Sequence, residues 1–191
     1  EDISHALGTM VDETPVGAGA AFAVASFASS MIITTGNGGM VMTNNSRHYS
    51  VMRDMRNGSG AYPSFDYTMT DLQGAMGITQ VHKIKELLDR RRTIAKIYHD
   101  ALKITEHKTF YTYSDDFAYQ SFPVIFDASI EKVEKYWKKA GVEITNPVKP
   151  PLHAHIGAGS GSFPNSERLS KKLFTVTLYP TLTRDNIDYL A

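Results

Sequence analysis

Residues 26–42 constrain this chain more than any other stretch: Ser-Phe-Ala-Ser-Ser-Met-Ile-Ile-Thr-Thr-Gly-Asn-Gly-Gly-Met-Val-Met. The run before it, residues 22–27, is apolar and short, which suits a buried strand better than a helix. Ser26 falls where that strand ends. Asn37-Gly38, set between residues 32–35 and 40–43, is a strong hairpin signal, because both residue types tolerate positive φ. The glycines could be mistaken for a phosphate cradle. They lack the Lys-Ser/Thr that closes one, and no helix start follows, so they read as a turn.

The chain has 191 residues, 42% hydrophobic, enough for one sizeable core or two small ones. Lys+Arg and Asp+Glu balance at 20 each, so no basic excess points to nucleic acid and no acidic tail to a disordered arm. There is no cysteine, which excludes disulfides and thiolate metal sites and fits a cytoplasmic protein. No apolar run reaches the roughly 18 residues of a membrane helix, and no signal peptide is visible. The start at Glu1, without an initiator Met, reads as a cut or as the first ordered residue of something longer.

Glu1-Asp2-Ile3-Ser4-His5-Ala6-Leu7-Gly8, taken alone, is ordinary loop-to-helix chemistry with Asp as a cap. Residues 9–21 are a turn-rich connection. Residues 44–56 read as a helix with Tyr49, Val51, Met52 and Met55 on its apolar side. Thr70-Asp71-Leu72-Gln73 is a capping box. It opens the longest predicted helix, which runs to Leu102 with Leu72, Met76, Val81, Leu88, Ile94 and Tyr98 at helical spacing. Arg90-Arg91-Arg92 within it is expected on a solvated face or in an inter-subunit ion pair, since the aromatic interleaving of a nucleic-acid groove is missing.

Beyond residue 105 the pattern changes. Residues 119–126 are strand-like, with Pro123 favouring an edge or a bulge. Residues 129–140 form an amphipathic helix capped by Ser129, with Gly141 ending it. A short strand at 142–145, a loop at 147–164 and a helix starting at Phe163-Pro164 follow. His153 and His155 stand two apart with no third ligand in view, so no metal site is expected.

These segments resemble the DegT–DnrJ–StrS family of vitamin-B6-dependent sugar aminotransferases, of fold-type I. That family writes the opening stretch as Ser-Phe-x-x-x-Lys-x-Ile-Thr-Thr-Gly-x-Gly-Gly-Met-Val, and in this register its lysine slot holds Met31. The family's Glu-Asp-x-x-His/Gln-Ala-x-Gly matches residues 1–8. Its Asn-Tyr-Arg-Met-Thr-Asp-x-Gln-Ala-Ala meets Asp66-Tyr67-Thr68-Met69-Thr70-Asp71-Leu72-Gln73-Gly74-Ala75, with Asp66 for Asn and Thr68 for Arg. Its closing Leu-Pro-x-x-Pro strand and Leu-Thr-x-x-x-Ile-x-x-Ile helix meet residues 176–180 and 182–190, with Thr177 for the first Pro. The resemblance covers nearly the whole chain but only the later part of the family's length.

The resemblance implies an α/β fold. Residues 1–103 would be the later part of a large domain with a mixed sheet and helices on both faces. Residues 104–191 would be a small α+β domain. It implies pyridoxal 5′-phosphate as cofactor: Asp2, with His5, at the pyridine nitrogen; Ser26 on the phosphate; and the residue at 66 reaching that phosphate from the partner subunit of a homodimer. Asp66 would set a carboxylate against that phosphate. His153 lies on the sugar side. The implied activity is amino transfer from glutamate to a nucleotide-linked keto-sugar, for polysaccharide or antibiotic synthesis. Transamination needs an amine that holds the cofactor covalently and then moves a proton. Some family members carry His there and run a dehydration. A thioether does neither, so the chain is expected to be inactive or incomplete alone. Two alternatives stand beside this: a cofactor-free binding or regulatory protein, and one half of a split enzyme completed by another chain.

Overall fold

The computed structural model describes residues 1–58, 63, 65, 67–147, 150–159 and 161–191. The chain divides into two compact units, Glu1–Arg90 with Asp115–Gln120, and Arg91–Ser114 with Ser121–Ala191.

In the first unit a small hairpin joins β1 (Met10–Val11) to β2 (Thr14–Pro15). Its two turn residues, Asp12 at φ 48 and Glu13 at φ 61, are both left-handed, as a tight two-residue connection requires. The central strand is β3 (Ala23–Ser26). On one side it pairs antiparallel with β4 (Gly39–Met42), setting Val24 opposite Val41. On the other side Asp2 bridges Val24 in parallel, with Ile3 N–H donating to the Val24 carbonyl and Val24 N–H to the Glu1 carbonyl, each at 2.8 Å. The pairing is therefore mixed. Alternate residues of β3 point to opposite faces. Ala23 and Ala25 are buried in a core with Ile3, Phe27, Ile32, Ile33, Leu88 and Ala118, while Val24 is 42% exposed.

The hairpin expected at Asn37-Gly38 needs correction. Residues 32–35 form no strand, and the partner of β4 is β3. The reason is burial: Ile32, Ile33 and Thr35 all turn into the core and curve the chain. Gly39 has its own steric reason, since a Cβ there would lie 2.9 Å from the Ala25 carbonyl oxygen across the ladder.

Helix α1 (Ser46–Asn57) is capped by the Asn45 side chain, which accepts from the N–H groups of Arg47 and His48, and it ends on left-handed Gly58. Its expected apolar side is not a core face. None of its residues is buried, and Tyr49 is 56% exposed. The capping box at Thr70 and Gln73 is present and starts α2 (Asp71–His82). The single long helix expected from there to Leu102 is two helices. Lys83 N–H bonds back three residues to Gln80, which tightens the turn, and α3 (Ile84–Leu102) begins after it. Leu72, Met76 and Val81 lie on α2 and are exposed, whereas Leu88, Ile94, Ala95 and Tyr98 on α3 are buried. Arg91 is also buried, not on a solvated face as its triplet suggested. It donates to the Leu178 carbonyl at 3.3 Å, and burial pulls its pKa down.

In the second unit β5 (Phe122–Ile125) pairs antiparallel with β6 (Leu173–Val176). Among the described residues, the far edge of β5 carries an isolated bridge, Ile125 to Lys108, and no paired strand, so Pro123 sits on an edge strand. α4 (Ile130–Lys139), α5 (Leu152–His155), α6 (Pro164–Ser170) and α7 (Arg184–Leu190) complete it. Phe122, Val124, Phe174, Ile94 and Ile187 are its most deeply buried large side chains. Three expectations change in detail. Ser129 stands at the N-cap of α4 without a side-chain cap bond. The strand expected at 142–145 is reduced to one bridge, Thr145 to Thr175. The strand expected at 176–180 ends at Val176. Among the described residues, no helix is long and apolar enough to cross a membrane.

Candidate functional site

Asp2, Ser26 and Met31 belong to one continuous piece of the first unit. Asp2 lies on the segment that runs parallel to β3, and Ser26 closes β3. Ser4 connects them. Its side chain and, after it, its backbone N–H donate to Asp2, the latter at 2.9 Å on Oδ1, and hold that carboxyl below the usual range. The Ser4 Oγ in turn accepts the Ser26 N–H at 3.0 Å. His5 is exposed and lends Asp2 a smaller favourable charge. Ser26 Oγ accepts the Ala28 N–H at 3.3 Å, which leaves its hydroxyl hydrogen available to an outside acceptor.

Met31 sits in the connection between β3 and β4. Its N–H bonds the Ala28 carbonyl at 3.0 Å, closing a turn. A second clasp lies just outside. The Phe27 carbonyl accepts from Thr35 N–H at 3.1 Å and from the Thr34 hydroxyl at 3.2 Å, and Phe27 N–H donates to Gly38 at 2.9 Å. Gln120 Nε2 braces the Ser30 carbonyl at 2.5 Å, and Gln73 Nε2 the Asn37 carbonyl at 3.1 Å. Backbone and side-chain amides thus fix the path of the loop, to which residue 31 contributes its own N–H.

Sequence reasoning passed over Ser4, Gln73 and Gln120 as parts of this site. Ser4 had a signal: Asp followed two residues later by a donating N–H is a local Asx turn. The braces by Gln73 and Gln120 had none, since each spans a long sequence separation.

Asp66 lies outside the described residues. His153 is in the second unit, on α5. Its side chain is 11% exposed, its ring stacks on Phe163 at 5.0 Å, and Nε2 stands 3.7 Å from Glu167 Oε1. That same oxygen accepts the Gly161 N–H at 2.7 Å. A hollow of about 920 Å³ lies beside β4 and α1, lined by Met40, Met52, Met55, Tyr67 and Met69 among others. Asp2, Ser26 and Met31 are not in its lining.

The donor set decides what this site can hold. An ionised Asp2 accepts a hydrogen bond from a protonated ring nitrogen, and a free Ser26 hydroxyl donates to a phosphate oxygen. Both fit a phosphorylated pyridine. Met31 does not fit its covalent attachment, because a thioether has neither a nucleophilic amine nor a proton to move.

The profile of the DegT/DnrJ/EryC1/StrS aminotransferase family matches residues 1–191, and the chain belongs to that family. An uncharacterized protein of Methanocaldococcus jannaschii, MJ1066, is 29% identical over 98% of this chain and 56% of its own length. The GDP-perosamine synthase of Vibrio cholerae is 26% identical over 98% of this chain and 55% of its own. A DegT DnrJ EryC1 StrS aminotransferase from Brucella abortus has the same fold, with a TM-score of 0.87 at 20% identity, covering 100% of this chain and 54% of that one. The chain spans about half the length of the curated relatives it matches, and its fold class is that of the corresponding part of a vitamin-B6 sugar aminotransferase.

Proposed function

We propose that this chain carries the lysine-bearing part of a nucleotide-sugar aminotransferase scaffold, changed at the one position that performs the chemistry. The observation that supports this is the Asp2–Ser4–Ser26 hydrogen-bonded run leading into a firmly clasped loop whose lysine slot holds Met31. When bound, pyridoxal 5′-phosphate supplies an electron sink for the carbon next to the transferred nitrogen. Asp2, held ionised chiefly by Ser4 with a smaller contribution from His5, would keep the ring nitrogen protonated. Ser26 would donate to the phosphate. Met31 would occupy the volume of the lysine stem and transfer no proton. Loss of a positioned base alone costs on the order of 10²–10⁴ in rate. Amino transfer from glutamate to a keto-sugar is the ancestral activity, and this chain by itself is expected to turn over little or none.

The finer assignments belong to the same proposal. The cofactor part and the small domain are assigned to residues 1–103 and 104–191, a boundary later than the compact-unit division after Arg90, and His153 to the sugar side. Association with a second copy, or with a chain carrying the rest of the relatives' length, is favoured by α2, which leaves Leu72, Ile78 and Val81 more than half exposed. With Asp66 from a partner near the phosphate, like charges would weaken rather than complete the site.

The test is to mix the purified chain with pyridoxal phosphate and treat it with borohydride. No adduct at residue 31 and no glutamate-dependent turnover are expected. Measurable turnover by the unaltered chain overturns the proposal.

A further inference from the structure

The second unit contains a hollow of about 580 Å³, within the roughly 300–1,000 Å³ typical of small-molecule sites. Its floor is the face of the two-stranded sheet, with Phe122, Val124 and Val176. Its walls come from α3, α4 and α7. One wall is aromatic: Trp137 meets Phe126 edge to face at 6.4 Å and Tyr136 at 5.7 Å. The polar groups on the lining include Lys132 and His107, which offer protons to a guest. Lys132 stands exposed on the first turn of α4. His107 accepts the Asp127 N–H on Nδ1 at 3.2 Å, which leaves Nε2 as the N–H donor. Asp127, whose N–H that imidazole accepts, pairs through its carboxylate with Lys172 at 3.3 Å.

We propose that this hollow binds a flat aromatic carboxylate, its ring on the Trp137–Phe126 wall and its charge toward Lys132 and His107. Aromatic walls favour a planar guest through offset and edge-on contacts. Two donors favour an anionic head over a neutral one, because charge-assisted hydrogen bonds are about twice as strong. The proposal stands apart from the cofactor chemistry of the first unit and survives its failure.

Trp137 is the sole tryptophan of the chain, so its fluorescence reports on the hollow alone. Titrating the purified protein with cinnamate should give a saturable change in emission. Cinnamamide should bind about tenfold more weakly. Lys132→Met, at an exposed position that does not threaten folding, should narrow that difference, and an unchanged difference would overturn the assignment of Lys132 to the carboxylate. Ala101→Phe, which fills the hollow from α3, should weaken both ligands. No saturable change with either compound, or equal binding of acid and amide, overturns the proposal.

Discussion

In the proposed register Met31 would be a change of chemistry without a change of shape, a straight, polarizable side chain standing where a straight, charged one would, with little strain. Its loop is tied by the carbonyls of Phe27, Ala28 and Ser30, none of which depends on the side chain at 31. Met31→Lys is therefore expected to fold normally and to acquire a borohydride-fixed pyridoxal adduct at residue 31, seen by mass spectrometry. Absence of that adduct would mean that the Asp2 and Ser26 positions are no longer sound. Tyr98 gives a second residue-scale expectation. It is 3% exposed, its hydroxyl donates to the Thr177 carbonyl at 3.0 Å, and burial pushes its pKa up to about 12. The unfolded chain releases that proton near pH ~10, so the folded state binds more protons between the two values. Stability should be level below about pH 10 and fall as pH rises toward ~12, by on the order of 2 kcal/mol. Tyr98→Phe should flatten that alkaline drop in urea titrations, and lose about 1 kcal/mol at neutral pH with the hydrogen bond.

At the scale of elements, the sequence was most legible where a local rule acts alone. The capping box at Thr70 and the amphipathic α4 both follow from neighbours within a few residues. It was least legible where tertiary contacts compete. Residues 32–35 have a strand's composition, yet Ile32 and Ile33 are drawn into the core and the chain curves instead. Apolar spacing ran unbroken from Leu72 to Leu102, so nothing local marked the break at Lys83, nor showed that only the second piece is buried. Arg91 looked solvated for the same reason: its carbonyl partner lies 87 residues away. At the candidate site, Met31 and Ser26 were proposed from register alone, whereas the brace from Gln120 could be found only in three dimensions. Helix α2 carries its own predictions. Thr70→Ala should cost about 1 kcal/mol by loss of the cap, measured by thermal unfolding. Ile78→Glu, which charges the exposed apolar helix, should lower the sedimenting mass of any self-associated form without altering the circular dichroism.

For the whole molecule, balanced charge meets much uncovered apolar surface. Lys+Arg and Asp+Glu cancel, with an isoelectric point near 7.3, while Met40, Val41, Tyr67, Leu72 and Ile78 are all exposed. Without net repulsion such surfaces attract one another. Turbidity of the purified chain should peak near neutral pH and clear on either side; an even profile would show that charge is not what limits solubility. The clasp around residue 31 has a genetic corollary. Methionine and lysine codons can differ at a single base, and the scaffold around the slot is held by amides that either side chain leaves alone. On the register proposed for residue 31, a lineage carrying this protein stands one point mutation from an amine at that position, and dormancy there would be reversible for as long as the loop keeps its ties.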